Sequence, residues 1–241
     1  MVMWHAIECT EKELDMEGKS NVPQNSAVLV PGVGSSYSNG WGKLWKYFPE
    51  LFLIGIITVV IGIPAGIGGW AVGNAGATGT LSFLGFIYSI LISGPVGYGV
   101  SFAYLKAARG DKLEIKDMFE AFRNYWNVVL ASLLVGVIVA IGFVLLIIPG
   151  IILACKLAFT PYLVVERKME VFEAVQESWR MTNGHAWKVF LIGLLGIPIG
   201  IAGLICFGVG IIIAIMWITL AIASLYHAVS LSVRASGQGG A

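Results

Sequence analysis

Six apolar runs, at residues 50–72, 80–106, 127–148, 150–166, 186–206 and 208–231, limit what this chain can fold into more than any other feature. A helix rises 1.5 Å per residue, so about 20 apolar residues carry it across a hydrocarbon core of about 30 Å. Five runs exceed that length, and the fourth, with 17 residues, sits at its lower limit. Only helices and closed barrels satisfy their backbone polar groups in lipid, and runs this long belong to helices. The expected fold is therefore all-α, a polytopic membrane bundle of six transmembrane helices. Composition agrees, with 57% hydrophobic and 12% charged residues, 31 glycines and a mean hydropathy of +0.84.

The connections between the runs alternate in kind. Those after the first, third and fifth runs (Gly73 to Gly79, Pro149-Gly150 and Cys206 to Gly208) carry no charge. Those after the second and fourth are about twenty residues long and hold Lys106, Arg109, Lys112, Lys116 and Arg123, then Arg167, Lys168, Arg180 and Lys188. With Lys12, Lys19, Lys43 and Lys46 before the first run and Arg234 after the last, every basic residue except Lys156 falls on one side. The positive-inside rule makes that side cytoplasmic, so a multi-pass protein of the cell (inner) membrane with both termini cytoplasmic is expected. The acidic residues gather on the same side, so an outer catalytic or receptor domain is excluded. A formal net charge of +1 leaves no basic field for nucleic acid. Residues 1–40 read as a polar cytoplasmic tail, loose unless a partner holds it. Residues 41–231 form the membrane domain and 232–241 a short tail. The acidic N-terminus lacks the basic and apolar regions of a signal peptide, so insertion is expected through the first membrane helix.

Three hairpins that all start inside are parallel repeats, unlike the inverted repeats of many secondary transporters. Each is entered through aromatic and basic residues, and Trp and Tyr favour the headgroup level. Residues 111–124 and 170–182 read as interfacial amphipathic helices on the cytoplasmic surface. Ile115, Met118, Phe119, Phe122 and Trp126 form one stripe and Phe172, Val175 and Trp179 the other. Either they anchor the loops or they present a docking surface. Trp41, Trp45, Phe119, Phe122, Trp126, Phe172, Trp179 and Trp187 are thus the candidate partner or lipid interface. Gly62-xxx-Gly66, Ser132-xxx-Gly136-xxx-Ala140 and Gly196-xxx-Gly200 put small residues on single faces and suit close helix packing.

Leu146-Ile-Ile-Pro-Gly-Ile-Ile-Leu153, Pro161-Tyr-Leu-Val-Val-Glu166, Glu173-Ala-Val-Gln-Glu-Ser178 and Thr182-Asn-Gly-His-Ala-Trp187 carry a resemblance. Over roughly residues 95–230 the chain resembles a broad family of uncharacterised prokaryotic polytopic membrane proteins. That family includes YciC-like proteins and the membrane domain of some glycerophosphodiester phosphodiesterases. The resemblance implies a fold and brings no catalytic residues with it.

Lys156 is the most informative single residue. Seven positions past Pro149, it lies about 10 Å from the outer turn, where a charge costs on the order of 2.5–3.5 kcal/mol. It lines a polar cavity, meets an ion partner from another molecule or a lipid phosphate, snorkels, or bonds freed carbonyls. Ser93-Gly-Pro-Val-Gly-Tyr-Gly99 interrupts the second helix and Thr160-Pro161 the fourth, and a proline frees a backbone carbonyl. Ser93, Pro95, Thr160 and Pro161 either share a polar pocket with Lys156 or are packing kinks. Cys9, Cys155 and Cys206 form no paired motif, and His5, His185 and His227 have no second ligand at i+3 or i+4. No metal or cofactor is expected, and no nucleotide loop, nucleophile elbow or intramembrane carboxylate pair occurs. The resulting expectation is a non-enzymatic membrane protein, a structural, assembly or accessory subunit alongside other membrane subunits. The alternative is a carrier or channel for a small solute or lipid.

Overall fold

A computed structural model describes residues 31–73, 79–205 and 209–238. The expectations for His5, Cys9 and the tail up to residue 30 lie outside the described residues. So do those for the connections through 74–78 and 206–208 and for residues 239–241. Most of the described residues are helical and none is in a strand. In chain order they form α1 (Val33–Lys46), α2 (Phe48–Gly73), α3 (Gly79–Tyr88), a π-helical stretch at Ser89–Ser93, and α4 (Gly94–Arg109). A 3-10 segment (Ile115–Asn124) leads into α5 (Tyr125–Leu145), followed by α6 (Ile147–Leu157), α7 (Thr160–Glu166), α8 (Val171–Thr182), α9 (Ala186–Ile205) and α10 (Val209–Gln238).

Among the described residues, five helical stretches are long and apolar enough to cross a membrane: Phe83–Arg109, Ile115–Leu145, Ile147–Glu166, Ala186–Leu204 and Gly210–Val233. A sixth arises if α1 and the first part of α2, bent by 93° at Tyr47, count as one broken span. The arms of the three hairpins pack on each other: α2 on α3, α5 on α6, and α9 on α10.

Boundaries differ from the sequence expectation where backbone chemistry decides them. α1 begins at Val33, inside the segment read as tail, because one face has a home: Ser36, Tyr37, Gly40 and Leu44 are buried against α10 and its neighbours. A Cβ at Gly40 would lie 3.3 Å from the amide nitrogen of Ala221, so the glycine admits α10 closely. The second hairpin turns at Leu146, whose backbone is extended, and not at Pro149-Gly150. Pro149 occupies the first turn of α6, where a missing N–H costs no helical hydrogen bond. The turn is sealed by Gly142 against Gly150, where a Cβ on Gly142 would meet the Gly150 Cα at 2.9 Å.

The core lies toward the charged end of the bundle. Leu51, Leu105, Met118, Phe159, Leu163, Leu220 and Tyr226 are sealed there. Val59, Ile63, Val144, Leu145, Ile148, Ile197 and Leu204, in the uncharged half, are exposed, as expected of surface that faces lipid. The glycines of the expected packing motifs differ in their surroundings. A Cβ built on Gly196 would lie 3.0 Å from Ile218, whereas Gly62, Gly66, Gly136 and Gly200 have nothing within 4 Å of a built Cβ.

Candidate polar site at the helix breaks

At the Pro95 and Pro161 breaks, side-chain hydroxyls meet backbone carbonyls close to the proline. Pro95 cannot donate to Leu91, four residues earlier, and the Tyr125 hydroxyl donates to that carbonyl at 2.9 Å. The π-helical stretch at Ser89–Ser93 opens the helix just ahead of the proline. In the fourth run, α6 stops at Leu157 and α7 restarts at Thr160-Pro161. There Ser178 Oγ and Thr182 Oγ1, both on the buried face of α8, donate to the Lys156 carbonyl at 2.9 and 3.0 Å. The single Thr182 hydroxyl proton is shared with the Ser178 carbonyl, 2.6 Å away. α8 is therefore not merely laid on a surface. Its Ala174, Ser178, Met181 and Thr182 are buried, and it packs on α5, α6 and α7.

The Lys156 ammonium turns toward the same helix. It donates to Asn183 Oδ1 and stands 4.8 Å from the Trp179 ring centroid. Of the alternatives open for Lys156, none names its partners here, a carboxamide and an indole of this chain, which meet the cation without a carboxylate. Ser178, Thr182 and Asn183 are site residues that the sequence reading did not assign. The i,i+4 pair of hydroxyls on the apolar face of an amphipathic helix was the available signal, since a buried hydroxyl needs a partner.

Of the expected polar site, Pro95 and Thr160 are buried, Ser93 and Pro161 are half-buried, and their helices α4 and α7 pack together. Ser93 Oγ, Thr160 Oγ1 and the Tyr98 hydroxyl are enclosed without a hydrogen-bond partner. The Lys156 ammonium contacts Asn183 and Trp179 and forms no hydrogen bond with those hydroxyls. An apolar cavity of about 310 Å³ lies between α6 and the start of α9, lined by Ile148, Ile152, Cys155, Trp187 and Phe190 among others.

At the charged end, ion pairs tie the elements together. Arg109 at the end of α4 reaches Glu166 at the end of α7, and the Tyr226 hydroxyl of α10 donates to the other carboxylate oxygen at 2.8 Å. Tyr226 is sealed between Tyr162, stacked at 4.8 Å, and Phe159, edge-on at 5.4 Å. Lys106 donates to Asp117 at 2.9 Å, and Asp117 also accepts from the Glu114 amide, which fixes the 3-10 segment to α4. Lys116 and Lys112 beside Glu114 hold its carboxyl below the usual carboxylate range. Among the described residues, no group of three or more His, Cys, Asp or Glu is placed to hold a metal ion.

The candidate interface aromatics are exposed as a set: Trp41, Trp45, Phe119, Phe122, Trp126, Phe172, Trp179 and Trp187. Phe119, Phe122, Tyr125 and Trp126 form a continuous ladder with ring centroids 5.4 to 6.1 Å apart. Trp41 packs on Trp217 of α10 at 4.8 Å, and the Trp217 indole donates to the Tyr37 carbonyl at 3.0 Å.

Exposed apolar spans, an aromatic ladder at the charged end and proline breaks closed by hydroxyls define an all-helical protein of membrane-spanning architecture. Within it, residues 135–232 match the model of a family described as a protein of unknown function, DUF975. The match runs from within α5 through α10 and so takes in the Lys156 cluster and α8. No solved structure matches the chain.

Proposed function

We propose that this chain is a non-enzymatic integral membrane protein, a structural, assembly or accessory subunit of a larger complex, in the cell (inner) membrane with its charged side cytoplasmic. One observation carries the reading: the cation within the apolar span is taken up inside the chain, by Asn183 and Trp179. The break carbonyls are likewise taken by Tyr125, Ser178 and Thr182. Polar groups so engaged hold helices in place and leave little for chemistry. The exposed belt from Trp41 to Trp187 supplies the surface for lipid and partner subunits. The narrower likeness to YciC-like proteins and to the membrane domain of glycerophosphodiester phosphodiesterases belongs to the same proposal. Purification of the native protein in mild detergent, followed by mass spectrometry, tests it. Stoichiometric companions are expected, and a lone monomer would overturn the reading.

A second reading, a carrier or channel for a small solute or lipid, draws on the enclosed and unpartnered hydroxyls of Ser93, Tyr98 and Thr160 at the α4 and α7 breaks. It requires water there. A cysteine at Thr160 that reacts with a small soluble thiol reagent in the intact membrane would favour it, and an inert one would exclude it.

A further inference from the structure

A second cavity, of about 390 Å³, lies at the charged end between the start of α5 and the turn from α7 to α8. Its floor is apolar, with Ala121, Val128 and Val165 all buried. Its polar lining is Glu120, Arg123, Asn124, Asn127, Lys168 and Glu170. We propose that it binds the phosphoethanolamine head group of a membrane phospholipid, with the phosphate at Lys168 and the primary ammonium at Glu170.

Charge decides the class of ligand. Arg123 donates to Glu120 at 3.1 Å, so that pair neutralises itself. Among the described residues, Lys168 and Glu170 form no ion pair with any other side chain, which leaves one cation and one anion open to the same space. A site so balanced suits a zwitterion and offers no excess cation to an anionic lipid. The form of the ammonium follows from the acceptors. Carboxylate and carboxamide oxygens take N–H donors, which a primary ammonium has and a quaternary one lacks. Quaternary ammonium groups are held by aromatic faces, and none lines this cavity. Position decides the source. The exposed ladder of Phe119, Phe122 and Trp126 runs along the same 3-10 segment and α5 start, and such aromatics sit at the headgroup level. The volume falls in the range of sites that hold small ligands, about 300–1,000 Å³.

Backbone conformation supplies an independent observation. Lys168 has φ 51°, and no other described residue apart from glycine has a positive φ. A left-handed conformation is disfavoured for a long side chain, and such strain collects at ligand sites. Glycine would hold this turn without that cost.

The test uses the full chain in phosphatidylcholine nanodiscs, with phosphatidylethanolamine or phosphatidylglycerol added and bound lipid counted by native mass spectrometry. Phosphatidylethanolamine is expected to be retained over both other lipids. Lys168→Gly, which relieves the backbone, is expected to melt no lower than the parent yet to lose at least about tenfold of that preference, the scale of one charge-assisted contact. Glu170→Gln is expected to weaken it in the same direction. Equal retention by Lys168→Gly, or phosphatidylglycerol held as well as phosphatidylethanolamine, would overturn the proposal. Protection by soluble phosphoethanolamine at matched concentration would overturn the lipid source. The site stands apart from the subunit reading, since a monomer could hold the lipid and a complex could lack it.

Discussion

A Cβ built on Gly99 would lie 1.7 Å from the carbonyl oxygen of Met118. The 3-10 segment crosses α4 there with its backbone against the helix, and neither side can give way easily. Met118 is fully buried, and the preceding Asp117 is bound to Lys106. Gly97, two residues earlier, has nothing within 4 Å of its own Cβ position. Gly99→Ala should therefore destabilise the protein by about 1–3 kcal/mol or more, the cost of overpacking. Gly97→Ala should be neutral or slightly stabilising through helix propensity. Thermal unfolding of the two variants in the same detergent checks the contrast, and similar melting temperatures would refute the close crossing. Nothing in the local sequence separates these two glycines, since the contact that distinguishes them comes from residue 118.

The α6–α7 break shows how an element depends on another for its shape. Pro161 makes the interruption, but the Lys156 carbonyl is held by Ser178 and Thr182 of α8. With two donors on one acceptor, loss of either leaves the other in place. Ser178→Ala and Thr182→Val are each expected to cost about 1 kcal/mol, and the double variant more than their sum, because only then is the carbonyl left bare. A double-mutant cycle measured by chemical unfolding reads the coupling, and strict additivity would contradict the shared acceptor. The break itself was legible in the sequence, since Thr160-Pro161 announces it. Its closure was not legible. Amphipathic periodicity identified α8 and its extent to within a residue, but periodicity cannot say whether an apolar face carrying two hydroxyls meets lipid or another helix.

For the molecule as a whole, all charged connections are expected on one face of the membrane. In a background with Cys9, Cys155 and Cys206 replaced, Lys112→Cys and Lys168→Cys, both exposed, should react with an impermeant reagent from the same side. Labelling from opposite sides would break the arrangement of parallel hairpins. The sequence by itself determined the all-helical class, the approximate limits of most spans, and the segregation of charge. These follow from the length of apolar runs and the cost of moving ions into hydrocarbon, both of which are local properties. Only the tertiary structure decided that Val33–Lys46 folds as a helix against α10, that Lys156 is taken up by Asn183 and Trp179, and that Glu166 joins Arg109 to Tyr226. It also set Lys168 and Glu170 over a cavity walled by residues some forty positions earlier. These outcomes depend on which polar group meets which across helices distant in sequence. Hydrogen bonds act over about 3 Å, and linear spacing does not record that meeting.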